Sequence, residues 1–260
     1  MHAEGWRDVG AFAIGIAVGF LGGLFGKGGS AVATPLLSLI GFPGFVAVAA
    51  PLPATVPGTL IASAEYHRYQ LLDKEVVWWS VVVGVPATAA GAFLSKITGA
   101  KPLLVITALL VLGFGLSFLL FPAERSIPVA ASNNSDPPTR PSFWRLRLSV
   151  VASAIGMISG LLANSGGFLL APSYARFLRQ PIKKAFACSL LVSAVLAVPG
   201  TLVHAYLGHI SWRVAGLVAL GSAPFSYVGA WVSIRTKATR LERWYGLALT
   251  VLGLFFLLHI

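Results

Sequence analysis

The sequence predicts an all-α polytopic membrane protein made of two inverted-topology repeats, each a re-entrant or broken helical hairpin followed by three transmembrane helices. Composition is the first observation behind this. The 260 residues are 57% hydrophobic and only 10% charged, against about 25% charged in an ordinary soluble domain. Runs such as "VVWWSVVVGVPATAAGAFL" (76–94) and "LLVITALLVLGFGLSFLLF" (103–121) have the roughly 20 apolar residues that cross a bilayer core.

The second observation is internal duplication. "GLFGKGGSAVATP" (23–35) and "GLLANSGGFLLAP" (160–172) both open Gly-Leu, share a glycine at the same inner place and close on proline. Further on, Pro57-Gly58-Thr59-Leu60 recurs as Pro199-Gly200-Thr201-Leu202, and Gly91-Ala92 as Gly229-Ala230. Weak internal symmetry of this kind marks transporter folds. The stretch "FPAERSIPVAASNNSDPPTRPS" (121–142) is rich in Pro, Ser and Asn without apolar periodicity, and reads as a solvated linker. Residues 1–121 therefore form a first repeat, 122–142 a cytoplasmic linker and 143–260 a second repeat.

Each repeat contains one interrupted apolar segment and three uninterrupted ones: 9–41, 45–66, 76–95 and 102–121, then 148–178, 183–207, 212–233 and 241–259. Loop charges, the third observation, decide how the interrupted segments sit, because Lys and Arg concentrate on the cytoplasmic side. Were each interrupted segment a single crossing, the basic residues would divide nearly evenly. With hairpins, Arg68, Lys74, Arg125, Arg140, Arg145, Arg147, Arg176, Arg179, Lys183, Lys184, Arg235, Lys237, Arg240 and Arg243 share one face. Only Arg7, Lys96, Lys101 and Arg213 lie opposite. That asymmetry favours hairpins, inverted halves and two periplasmic termini. Residues 9–25, as helix, would reach about 25 Å, so the first arm is either tilted or almost spans.

Backbone released from a helix is tolerated at membrane depth only inside protein or against a water-filled cavity, so the breaks line something. Glycine lets the chain turn and approach a ligand closely. Helices restarting after the breaks offer free N–H groups and a positive dipole end, which favour anions. Gly26, Lys27, Gly28, Gly29 and Ser30 on one tip, with Asn164, Ser165, Gly166 and Gly167 on the other, are the candidate anion-binding residues. Lys27 adds a full charge, costing about 2.5–3.5 kcal/mol at the membrane centre on insertion scales, which an anion or water would offset. Close helix packing by small residues is the competing account of the glycines.

Glu65 and His204, near the ends of corresponding helices, are the protonatable candidates for coupling; interfacial placement explains both as well. Pro51, Pro53, Pro57 and Pro199 permit kinks, as a hinge or cavity wall or as plain packing, and Thr59 and Thr201 beside them suit a hydrogen bond to a freed carbonyl or a turn toward a polar pathway. Trp78, Trp79, Trp144, Trp212, Trp231 and Trp244 mostly flank apolar runs as interfacial anchors. The single Cys188 reads as a packing residue. The net charge of +11 resides in loop clusters and not along a helical face, which argues against nucleic acid. The chain shows no catalytic pattern, no metal-ligand spacing and no cofactor motif; "GLFGKGGS" lacks the spacing of a phosphate-binding loop. The expected partners are a small anion and membrane lipid, with a second copy of the chain a further candidate.

The duplicated glycine-rich break followed by a helix start and proline, in "GGLFGKGGSAVATP" and "SGLLANSGGFLLAP", with "PGT" in the next helix of each half, resembles the TauE/SafE sulfite exporter family over essentially the whole chain outside the linker. The resemblance implies a secondary transporter of small anions in a bacterial inner membrane, with sulfite and organosulfur compounds as associated substrates. An anion channel and a non-transporting membrane subunit are the alternatives. The second break departs in carrying Ala163 and Ser165 where the first has glycines, so it supplies side-chain hydrogen bonds where the first supplies bare backbone.

Overall fold

The computed structural model describes residues 2–26, 30–94, 100–121, 143–162 and 165–258. The described elements are helices: α1 (His2–Phe25), α2 (Ser30–Leu39), α3 (Gly44–Ala49), α4 (Pro51–Arg68), α5 (Lys74–Leu94), α6 (Ala100–Leu120), α7 (Trp144–Leu161), α8 (Gly167–Arg176), α9 (Ile182–Tyr206), α10 (Trp212–Arg235) and α11 (Ala238–Leu258). Among the described residues, 6 helical segments are long and apolar enough to cross a membrane, beginning with Gly5–Phe25. At 1.5 Å per residue the 24-residue α1 is roughly 36 Å long, so the first arm has the length of a full crossing.

Small residues bring backbones together and thereby fix the direction of packing. A Cβ on Gly15, Gly19 or Gly23 of α1 would collide with the backbone of Val218, Ser222 or Ser226 of α10, and one on Gly221 or Gly229 with the carbonyls of Phe12 or Phe20. The numbers rise together, so α1 and α10 run parallel. The same holds for α5 and α7, where Gly156 abuts Gly84, Gly160 abuts Thr88 and Gly91 abuts Met157. Conversely Gly253 meets Leu112, Gly115 meets Thr250 and Gly246 meets Phe118, so α6 and α11 are antiparallel.

Both interrupted segments turn back. Ile40 lies beside Gly10 and Gly41 beside Arg7, which returns the chain after α2 to the end where α1 begins. In the second half Arg145, at the start of α7, pairs with Glu75 at 3.1 Å. Tyr174, near the end of α8, donates to Ser80 Oγ at 2.7 Å in the same region of α5. Followed through, α1, α4, α6, α8 and α10 point one way, and α2, α5, α7, α9 and α11 the other.

These directions gather Arg68, Lys74, Arg145, Arg147, Arg176, Arg179, Lys183, Lys184, Arg235, Lys237, Arg240 and Arg243 at one end of the bundle. Arg176 caps α6 there by donating to the carbonyls of Ser117 (2.7 Å) and Phe121 (2.9 Å), and Lys183 donates to that of Ile234 at 2.6 Å. Arg7 and Arg213 are at the other end, where Arg213 bonds Asp8. Lys96, Arg125 and Arg140 lie outside the described residues.

The segment 45–66 corresponds to one candidate span, Val46–Arg68; its hydrogen-bond ladder is interrupted between α3 and α4, where Ala50 keeps helical backbone angles and Pro51 has no N–H to donate. Trp144 is 8% exposed and part of the main core, so it packs inside and is not a lipid-facing anchor; Trp78, Trp212, Trp231 and Trp244 are exposed as expected.

Candidate functional site

The two breaks meet. Ser30, the first residue of α2, places its Oγ 3.0 Å from Ser165 Oγ and accepts a hydrogen bond from the Ser165 N–H at 3.2 Å. Both residues are buried. Across each break the backbone takes the left-handed turn that glycine permits: φ is +65° at Gly26 and +72° at Gly166. Gly166 then starts α8, its carbonyl accepting from the N–H groups of Leu169 and Leu170, each at 3.0 Å.

A third element ties the turns together. Ser189 of α9 is fully buried, and its hydroxyl lies 2.8 Å from the Gly26 carbonyl and 3.0 Å from that of Gly167, so one proton is shared between the end of the first arm and the start of the second return. Tyr66 of α4 donates to the Gly23 carbonyl at 3.1 Å, holding α1 one turn earlier. Behind Gly26, Phe25, Phe186, Phe118 and Tyr245 pack ring on ring, with centroids 4.9–6.4 Å apart. The turn is thus backed by a rigid aromatic wall.

The arrangement offers two helix N-termini, whose first N–H groups have no partner within the helix, on either side of a pair of buried hydroxyls. Their partial positive charges converge. Between α1, α4 and α10 a small void of about 10 Å³ is lined by Val18, Gly19, Gly22, Thr55, Thr59, Ser222 and Ser226, which is space for about one water.

The family model for the sulfite exporter TauE/SafE matches residues 11–256, taking in both hairpins and all the helices that hold them. The chain belongs to the TauE/SafE family. A probable membrane transporter protein of Xylella fastidiosa (strain 9a5c) is 28% identical over 247 residues, covering 92% of this chain and 90% of the relative. The probable membrane transporter protein YunE of Bacillus subtilis (strain 168) is 25% identical over 233 residues, covering 84% and 82% respectively. No solved structure matches. This TauE/SafE chain is accordingly a membrane transporter.

Of the residues singled out from the sequence, Gly26, Ser30, Ser165, Gly166 and Gly167 come together. Lys27, Gly28, Gly29 and Asn164 lie outside the described residues. Glu65 and His204 are not joined to the breaks or to each other: Glu65 pairs with Arg68 at 3.3 Å, while His204 Nδ1 is 3.3 Å from His209 Nδ1 at the opposite end, since α4 and α9 run antiparallel. Thr59 bonds the carbonyls of Thr55 and Val56 at 3.0 and 2.9 Å, ordinary helical neighbours and not the carbonyl that Pro57 frees. Cys188 packs as expected, with its sulfur 3.3 Å from the Asp73 N–H.

Ser189 and Tyr66 were missed. The signal for the first was present: Ser189 and Ser193, one turn apart in the apolar α9, put hydroxyls on one buried stripe where packing alone would favour Ala. Nothing in the sequence distinguishes Tyr66 from an interfacial tyrosine.

Proposed function

We propose that this transporter carries small anions of the sulfite or sulfonate type across the bacterial inner membrane by alternating access, with the paired breaks as the anion site. The observation that carries the reading is the Ser30–Ser165 contact, which sets two helix starts facing each other inside the protein. An anion there is held by the N–H groups of α2 and α8, by the hydroxyls of Ser30 and Ser165, and by close approach at Gly26, Gly28, Gly29, Gly166 and Gly167. Lys27 supplies the full positive charge and Asn164 a neutral hydrogen-bonding group. No covalent chemistry is involved.

In this reading the basic end is cytoplasmic, both termini are periplasmic, and the halves are inverted repeats. The opposed directions of α1 and α7, α4 and α9, α5 and α10, and α6 and α11 support it. The glycine contacts also suggest which parts move. α1 is locked to α10 and α5 to α7, each pair drawing one helix from either half. The rigid units are then α1–α4–α10 and α5–α7, with α9 packed against both α4 and α5, and the anion site lies between them. Rocking one against the other opens the site alternately to each side. In this reading Glu65 and His204, at opposite ends, exchange protons with the cytoplasm and periplasm respectively.

Purified protein in sealed vesicles tests this with labelled sulfite, a sulfonate and chloride. Saturable sulfite or sulfonate flux with counterflow is expected, and Lys27→Met should abolish most of it while leaving the melting temperature nearly unchanged. Non-saturating flux without counterflow would replace the carrier by a channel. Unchanged anion binding in Lys27→Met would remove Lys27 from the site.

A further inference from the structure

At the basic end, outside the contact between the breaks, α4 and α10 diverge around a cavity of about 360 Å³ lined by Glu65, Arg68, Tyr69, Tyr227, Trp231 and Arg235. Its chemistry is mixed in a specific way. Arg68, 74% exposed, is fixed by the 5% exposed carboxylate of Glu65 at 3.3 Å. The Arg235 guanidinium lies 3.8 Å from the centre of the Trp231 ring. Two guanidinium groups thus border one polar hollow while a single buried carboxylate orients one of them, leaving a net positive charge.

Below the hollow the flanks become apolar. Leu60 and Ile61 of α4 are exposed, as are Leu220, Tyr227, Val228 and Trp231 of α10. In a bundle read as membrane-spanning, these rows face hydrocarbon. Trp and Tyr at the upper margin sit where aromatic side chains mark the boundary between acyl chains and headgroups.

We propose that this cavity binds the phosphodiester headgroup of a glycerophospholipid from the cytoplasmic leaflet. The forked guanidinium donors of Arg68 and Arg235 match phosphate oxygens. Trp231 and Tyr227 pack against the glycerol region, and the acyl chains descend along Leu60, Ile61, Leu220 and Val228. A free anion would find the guanidinium groups but leave the apolar rows unused. Because the cavity bridges α4 and α10, the lipid strengthens the contact between them and so stabilises one of the two moving bodies.

The test uses the purified full-length chain in neutral detergent, with dioctanoyl phosphatidylglycerol as probe and inorganic phosphate and dioctanoylglycerol as controls, read by native mass spectrometry and thermal melting. Phosphatidylglycerol should bind and raise the melting temperature, and the two controls at equal concentration should not. Arg68→Gln combined with Arg235→Gln should weaken lipid binding by about ten-fold or more, as expected for losing charge-assisted hydrogen bonds. Arg240→Gln, exposed at the same end, should leave it unchanged. Should the double variant fail to fold, Arg235→Lys, which keeps the charge but loses the fork, should still weaken binding. Equal binding in the wild type and the arginine variants overturns the proposal. So does an equal response to inorganic phosphate, or a face that self-associates and takes up no lipid.

Discussion

The hydroxyls of Ser30 and Ser165 lie 3.0 Å apart although the residues belong to different halves of the chain. Each residue sits just at or before the start of a returning helix, so the contact sets both breaks in one place. Neither hydroxyl is exposed, and a buried polar pair of this kind is retained at a cost in apolar packing. An anion attracted to the converging helix starts would exchange for this bond, since each hydroxyl can turn its proton toward the guest.

Ser30→Ala and Ser165→Ala should therefore each lower anion affinity, and the double variant should lose less than the sum of the two. The stability change for either should stay within about 0.5–1.5 kcal/mol, the net worth of one hydrogen bond. A double-mutant cycle on anion binding and melting measures both. Strict additivity in binding would show that the two hydroxyls do not act on the same guest.

Ser189 has a different place in the site. Its hydroxyl serves the carbonyls of Gly26 and Gly167, so it holds the turns through acceptors and not through the N–H groups proposed to bind the anion. Ser189→Ala should destabilise the protein by about 1–3 kcal/mol, because buried carbonyls lose a donor. Thermal melting checks this, with Ser193→Ala as the comparison: Ser193 is fully buried and its Oγ has no hydrogen-bond partner among the described residues, so its removal should cost little.

The architecture was legible in the sequence where the same physical demand occurred twice. Paired Gly-rich interruptions with a proline after each pointed to a break in both halves, and the described chain turns back at each. What was not legible depended on which helix faces which. Ser189 belongs to a helix whose counterpart carries Ala47 at the matching place, so duplication gave no cue. Glu65 and His204 looked equivalent as residues near corresponding helix ends, but opposed helix directions put them at opposite ends of the bundle, one with Arg68 and the other with His209. The Trp144 side chain read as an anchor because its flanking position is interfacial, while its facing is set by packing in the core.

Glycine positions should differ sharply in their tolerance of Ala. At Gly26 the positive φ coincides with a Cβ position that collides with the Phe186 backbone, so Gly26→Ala carries both the left-handed penalty of about 1–2 kcal/mol and a clash that no side-chain rotation relieves. At Gly166 the obstruction is the Ser159 hydroxyl, which can rotate away, leaving mainly the conformational cost. Gly113, in α6, has nothing within 4 Å of the added methyl, and Ala there should be neutral or slightly stabilising. Melting temperatures should fall in the order Gly113→Ala, Gly166→Ala, Gly26→Ala; a Gly26→Ala protein as stable as Gly166→Ala would contradict the close approach of α1 to α9.

Orientation can be tested at single introduced cysteines, since Cys188 is buried and should not react. Lys74, Lys237 and Arg213 are exposed, and the first two share the basic end while Arg213 lies opposite. In intact cells a membrane-impermeant maleimide should label Arg213→Cys and spare both Lys74→Cys and Lys237→Cys; permeabilised cells should label all three. Losing the Arg213–Asp8 pair should cost little, as surface ion pairs contribute roughly 0–1 kcal/mol. Lys74 is the informative position, because it lies in the first half and Lys237 in the second. If the halves pointed the same way, these two would label from opposite sides, whereas inversion puts them on one side whichever compartment that proves to be.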